Sequence, residues 1–175
     1  MTGSLTVDEL DALNLAFHLM ARNLFQYSAE IGVFMAISET DKKILGVRME
    51  ALEESNDLVD NLSSLIVETG TYPRVGPYKE EYTVWSYNSE SFMLPEYLRE
   101  SNEHRNKLIG LLETLKEDTE NPPSDAIVTL FKQAISSRGN TLTKLNALSE
   151  GICDPAAITD YDCSLGHDDD HGHGH

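Results

Sequence analysis

The chain has 175 residues, two cysteines and a net charge of −17 at pH 7, enough length for one domain with a buried core. Residues 1–150 hold 24 acids and all 13 Lys and Arg, while the last 25 residues hold six Asp and no base. That balance opposes contact with nucleic acid and with anionic membrane surfaces, and it attracts cations. Two cysteines make no disulfide framework, and no basic-then-apolar leader opens the chain, so a cytoplasmic protein is expected.

Thr6 and Glu9 stand in the Thr-x-x-Glu spacing of a capping box, and the first helix is predicted from there to about Ser38. Its long apolar stretch, Leu13 to Ile37, carries only Arg22 and Glu30 as fixed charges. His18, Asn23 and Gln26 make it too polar to span a membrane. Leu13, Phe17, Met20, Leu24, Tyr27, Ile31 and Phe34 alternate steps of four and three, the seam of a helix packed along its length. Leu15, Leu19, Ala29 and Val33 lie on the other side, so the helix should be covered twice. The second cover is either a further copy of the chain, giving a homodimer or higher oligomer, or the connection over residues 71–93.

Residues 38–41 form a cap-rich turn, and the second helix is predicted from about Asp41 to Thr69, stopped by Gly70 and Pro73. Its expected inner stripe is Leu45, Met49, Leu52, Val59, Leu62 and Ile66, with Asn56 and Ser63 in the same sector. Glu50, Glu54, Asp57, Asn61 and Glu68 form the outer face. Residues 71–93 then break the pattern. They include Tyr72, Tyr78, Tyr82, Trp85, Tyr87 and Phe92, and a connection so long serves to cover something or to carry function.

The third helix is expected from Pro95 to about Glu117, with a seam of Leu94, Leu98, Leu108, Leu112 and Leu115. Glu100 and His104 lie one turn apart in its apolar sector. After Asn121-Pro-Pro-Ser124, the fourth helix runs from about Asp125 to Leu148, using Ile127, Leu130, Phe131, Ala134, Ile135, Leu142 and Leu145. Between Ala126 and Ser149 it has no carboxylate, His or Cys. The expected division is a four-helix bundle over 1–150 and a disordered acidic tail over 151–175.

The tail carries the most specific chemistry. His167, His171, His173 and His175 surround Asp168, Asp169 and Asp170, and Cys153 and Cys163 precede them. Imidazoles in a His-Gly-His-Gly-His run suit Ni, Zn, Co or Cu better than Fe. A second candidate is a di-metal carboxylate site inside the bundle, from Glu30, Glu50 or Glu53, and Glu100 with His104. It is incomplete, because the Glu-to-His spacing is four rather than three and the fourth helix supplies no ligand.

The long helix pair, the segment Val67-Glu-Thr-Gly-Thr-Tyr-Pro73 and the run from Leu94 to His104 leading into two further helices resemble ferritin-like bundles. The likeness is to the DNA-protecting mini-ferritins and covers residues 6–149. It implies an antiparallel four-helix bundle in which the second and third helices run parallel, joined by a long crossover. Aligning Pro73 with the family's proline puts Asp60 at one acidic ligand position, but Ser64 stands where the next acid is expected. The family's His-Trp-Asn segment is absent, so the resemblance implies fold and assembly rather than ferroxidase activity. The runner-up is an up-down bundle without the crossover.

Three functions follow as expectations. The first is a metal-handling protein that buffers, stores or delivers a divalent transition metal through the tail. The second is a non-enzymatic adaptor that offers its aromatic connection to a protein partner. The third is a divergent di-iron oxidase. No nucleophilic-enzyme motif is present.

Overall fold

The computed structural model describes residues 5–31, 35–118 and 120–152. It is all-helical: α1 (Val7–Ala21), α2 (Leu24–Ile31), α3 (Glu39–Val67), α4 (Glu90–Glu117) and α5 (Asp125–Ile152), with a short 3-10 helix over Glu80–Trp85. Among the described residues there is no strand, only one isolated parallel bridge between Met35 and Ser89.

Local signals set most boundaries. Thr6 and Glu9 form the capping box of α1, and Ser38 and Asp41 form a second one at α3. Gly70 adopts φ 82° just after α3, where only glycine turns without strain. Ser89, rather than Pro95, opens the third long helix. Pro95 sits inside its sixth position, and Ser89 Oγ accepts from Phe92 N. At the other end, α5 continues to Ile152, past the expected stop at Leu148.

The predicted single first helix is two helices. Arg22 leaves helical geometry at φ −130° and ψ 55°. Asn23 stabilises both broken ends: its Nδ2 donates to the carbonyls of Met20 (2.6 Å) and Leu19 (3.3 Å), and its Oδ1 accepts from Gln26 N (3.0 Å). Glu100 of α4 completes the break by accepting from Leu24 N at 2.7 Å. A carboxylate at a helix N-terminus satisfies an orphan donor and complements the helix dipole.

Two apolar clusters fix the directions of the helices. One joins Leu13, Phe17 and Met20 with Leu58, Leu62, Ile66, Leu108, Leu112, Leu115, Ile127 and Phe131. The other joins Leu24, Phe25 and Tyr27 with Ile44, Ala51, Tyr82, Met93, Leu94, Tyr97 and Leu145. The starts of α3 and α4 therefore share one end, and their finishes share the other. These two helices run parallel, and α1 and α5 run against them. Residues 71–89 return along the bundle between α3 and α4.

The return segment lies on α1. Asn14 Oδ1 accepts from Arg74 N (2.7 Å), His18 Nδ1 accepts from Gly76 N (3.2 Å), and Arg22 Nε donates to Gly76 O (3.2 Å). These three residues are spaced by four, so one stripe of the helix holds one stretch of backbone. A Cβ at Gly76 would stand 3.1 Å from His18 Cε1, so a side chain there would require the imidazole to shift by a few tenths of an ångström. Leu19 is only 5% exposed within the single chain, whereas Leu15 is 41% exposed. The apolar area at Leu19 thus requires no second copy; Val33 and Phe34 lie outside the described residues.

Leu62 and Ile66 of the expected inner stripe of the second long helix are buried, but over the first half of the helix the buried face is displaced. The buried positions are Asp41, Ile44, Arg48, Ala51, Ser55, Leu58, Leu62 and Ile66, while Met49 and Asn56 are exposed and Leu45, Leu52, Val59 and Ser63 are half-buried. Buried partners for Arg48 and Ser55 turn the helix onto a partly polar face.

Candidate functional site

Three polar constellations stitch the helices together. At the top tier, where α3 and α4 begin, Asp41 accepts five hydrogen bonds. Oδ2 takes Ile37 N (3.2 Å), Ser38 N and Ser38 Oγ (2.8 Å each), and Oδ1 takes Ser91 N (2.8 Å) and Ser91 Oγ (2.5 Å). Burial alone would raise the carboxyl pKa, but the donors on Ser91 and Ser38 outweigh it and hold it down at about 2.

Beside it, the buried pair Arg48–Glu90 closes at 2.9 Å. Tyr97 donates its hydroxyl to Glu90 (3.0 Å), and Arg48 Nη1 reaches Ser28 Oγ (3.0 Å). Burial, then the Glu90 charge, raises the Tyr97 pKa and keeps the hydroxyl protonated.

The third constellation surrounds Glu100. Besides Leu24 N, it accepts from the Tyr82 hydroxyl and lies 3.4 Å from Lys79 Nζ. His104 Nε2 is 3.9 Å away, and burial pushes its pKa down to about 2, helped by Arg138, Lys79 and Lys107. Across the bundle, Arg138 is wholly buried. Its Nη2 donates to Ser55 Oγ (3.1 Å), Phe25 lies under the guanidinium at 5.4 Å, and Nε and Nη1 have no hydrogen-bond partner among the described residues.

Of the acids and bases expected in the bundle, only Glu100 and His104 come together; Glu50 is exposed on α3 and pairs with Lys144. Glu30 is exposed on α2 and pairs with Arg22 at 3.6 Å; Glu53 is exposed on α3. Asp60 and Ser64 also face solvent. Glu100 spends its oxygens on a backbone amide, a phenol and a lysine, and the positive charges of Lys79, Arg138 and Lys107 oppose a cation beside His104. Among the described residues, no group of three His, Cys, Asp or Glu could hold a metal ion. The tail ligands Cys153, Cys163, His167, Asp168, Asp169, Asp170, His171, His173 and His175 lie outside the described residues.

The connection divides its aromatics between inside and outside. Tyr82 is buried against Tyr27 (ring centroids 5.3 Å) and Trp85 (5.8 Å), and Tyr78 meets Tyr27 edge-on at 5.4 Å. Tyr87 and Phe92 point outward, 74% and 62% exposed. Tyr87 also has φ 73°, a left-handed conformation that costs a bulky residue about 1–2 kcal/mol. Met35 N donates to Asn88 O (3.1 Å) and Glu90 N donates to Met35 O (3.0 Å), so the connection entering α3 is fastened to the one entering α4. Exposed Ile31, Met35, Ile37, Val84, Tyr87 and Phe92 therefore gather at one end of the bundle.

This end face went unread in sequence, because Met35 and Ile37 look like the finish of an apolar helix. Arg48 and Arg138 were also missed. Each sits in register with buried neighbours, 44-48-51 on α3 and 134-138-141 on α5. A charge in step with a core stripe was the available signal. An open cleft of about 550 Å³ between α3 and α5, toward the other end, is lined by residues that include Asn61, Glu68, Asp125 and Gln133, without His or Cys. No helix among the described residues is long and apolar enough to cross a membrane. No protein-family model, curated protein or solved structure matches the chain.

Proposed function

We infer that the chain is a non-enzymatic interaction protein, an acidic helical bundle that offers one apolar end face to a protein partner. One observation carries the reading: Met35, Ile37, Val84, Tyr87 and Phe92 are held outward by hydrogen-bonded connections, with Tyr87 in a left-handed conformation. Clustered exposed apolar groups mark interaction sites, and strain maintained at an exposed aromatic points the same way. The triple variant Val84→Glu/Tyr87→Glu/Phe92→Glu tests it. Its helicity and melting should match the parent, because these side chains are exposed. A partner co-purifying with the parent from its own cells should be lost. A partner retained equally by both proteins overturns the assignment.

The parallel course of α3 and α4 supports a ferritin-like reading of the bundle, with α1 and α2 together standing for the first of four helices. Assembly into a homodimer would cover Leu15, and sedimentation as a monomer at micromolar concentration would contradict it.

A second reading, metal handling in the cytoplasm, is favoured by the sequence of the tail. Four His and three Asp within its last nine residues form a ligand set for Ni, Zn, Co or Cu. Metal titration of the full chain beside a version ending at Leu165 tests it. Tight binding by the full chain alone supports the reading, and equal, weak binding by both removes it.

A further inference from the structure

We propose that the groove between the start of α1 and the last turns of α4 is a second docking surface, and that its occupant is a basic amphipathic helix of another protein. The groove lies at the opposite end of the bundle from Tyr87 and Phe92, so the inference does not rest on the end face. Its volume is about 260 Å³. Ala12 and Leu115 form a buried floor, Leu111 is half-buried, and Leu15 is 41% exposed along the edge. Residues 8, 11, 12 and 15 share one face of α1, and 111, 114 and 115 share one face of α4. Two such antiparallel stripes leave a furrow into which a third helix can lay its own apolar stripe.

Charge identifies the occupant. Asp8 and Asp11 line the groove, and among the described residues no Lys, Arg or His does. Asp118 continues the α4 stripe one turn past Thr114, and all three carboxylates are exposed. Asp11 meets Arg74 at 3.9 Å with both side chains mostly in water, a contact that contributes little. Asp118 Oδ1 accepts from Glu120 N and Asn121 N (3.0 Å each), neutral donors that leave its charge in place. Lys107 stands one turn past Leu111, away from the acids. A partner helix therefore sets Leu, Ile or Phe against Leu15 and Leu111, and points Lys or Arg toward Asp8, Asp11 and Asp118. The charge of −17 on the whole chain favours the same partner at long range.

Two other occupants are less suited. A second copy in a two-fold contact would set groove against groove, two hollows that do not fill each other, and would bring −17 against −17. For a small molecule the volume falls below the roughly 300–1,000 Å³ of pockets that bury such ligands.

NMR titration of the full, isotope-labelled chain with synthetic helical peptides tests the proposal. The probes are an amphipathic peptide of Leu and Lys, a version with Ser in place of every Leu, and a version with Glu in place of every Lys. The Leu/Lys peptide should shift the amides of Ala12, Leu15, Leu111 and Leu115, leave those of Val84, Phe92 and Gln133 unmoved, and bind where the other two do not. Leu15→Ser should raise its Kd about tenfold by removing apolar contact. Asp8→Asn/Asp11→Asn should raise it about threefold, the size expected of exposed ion pairs. Thr114→Lys, at an exposed position on the other helix, should weaken binding as well and keeps the test sound if a change in α1 disturbs folding. No binding, shifts spread evenly over the surface or confined to the end face, an equal response to the Ser/Lys peptide, or a Kd unchanged in Leu15→Ser and Thr114→Lys overturns the proposal. So do groove shifts that grow with protein concentration in the absence of peptide, which would identify a second copy.

Discussion

Asp41 concentrates much of the local chemistry in one carboxylate. It closes the capping box of α3 and also accepts two hydrogen bonds from Ser91 at the start of α4. Its folded pKa of about 2 lies below the ordinary 3.8, so the native state favours the ionised form. The resulting stability is complete above about pH 4 and is lost as pH falls through about 2. At about 1.4 kcal/mol per unit, the difference is about 2 kcal/mol. Asp41→Asn should lose about that much in chemical denaturation at pH 7, with a shallower acid limb. His104 acts in the same direction over a higher pH window. Its pKa is lowered from 6.5 to about 2, so below about pH 6.5 the unfolded chain takes up a proton that the folded chain refuses. Stability therefore falls with decreasing pH, by at most about 1.4 kcal/mol per unit. Denaturant midpoints of His104→Gln between pH 7 and 4 should lack that component. At Tyr87 the expectation reverses, because Gly relieves the left-handed backbone of a side chain that packs little. Tyr87→Gly should raise the melting temperature by about 2–4 °C, the shift expected for about 1 kcal/mol in a chain of this size.

At the scale of elements, buried ionic contacts decide how helices meet. Arg48 and Glu90 tie α3 to α4, with Tyr97 and Ser28 satisfying further groups. Removing one partner leaves the other charge buried and unpaired, at a cost of about 3–5 kcal/mol. Arg48→Met alone should be destabilised by that amount in urea unfolding, and Arg48→Met/Glu90→Leu should recover most of it. The same contacts mark the limit of sequence reading. Thr6 with Glu9 and Gly70 before Pro73 were legible because each acts within a few residues of itself. The break at Arg22–Asn23 was not, because the carboxylate that completes it, Glu100, is 76 residues further along. Asn in a helical run carries no such message alone. Similarly, Leu45, Met49 and Leu52 form the better apolar stripe on paper, and only the remote partners of Arg48 and Ser55 choose the other face. Glu100 and His104 were recognised as neighbours, but their companions (Tyr82, Lys79, Leu24 N and Arg138) come from three other places in the chain. Those companions engage the oxygens of Glu100 with a backbone amide, a phenol and a lysine.

For the whole molecule, the return segment over residues 71–89 joins the two ends of the bundle. Lying along Asn14, His18 and Arg22, it covers that stripe of α1, leaves Leu15 exposed, and returns the chain to the end where α3 begins. Its inner aromatics close the upper core, and the turn after Trp85 carries Tyr87 outward beside Met35. The length and aromatic content of residues 71–93 were readable as a cover, whereas the exposed end face required two connections to meet in space. The most direct measurement is therefore positional. A photo-crosslinking amino acid is placed in the full chain at Tyr87, at Phe92 or, as a control on the far part of α4, at Glu113, and irradiated in the protein's own cells. An adduct of one defined mass from positions 87 and 92, absent at 113, is the predicted result. Adducts equally abundant from all three positions, or from none, would contradict an interaction protein built around this end of the bundle.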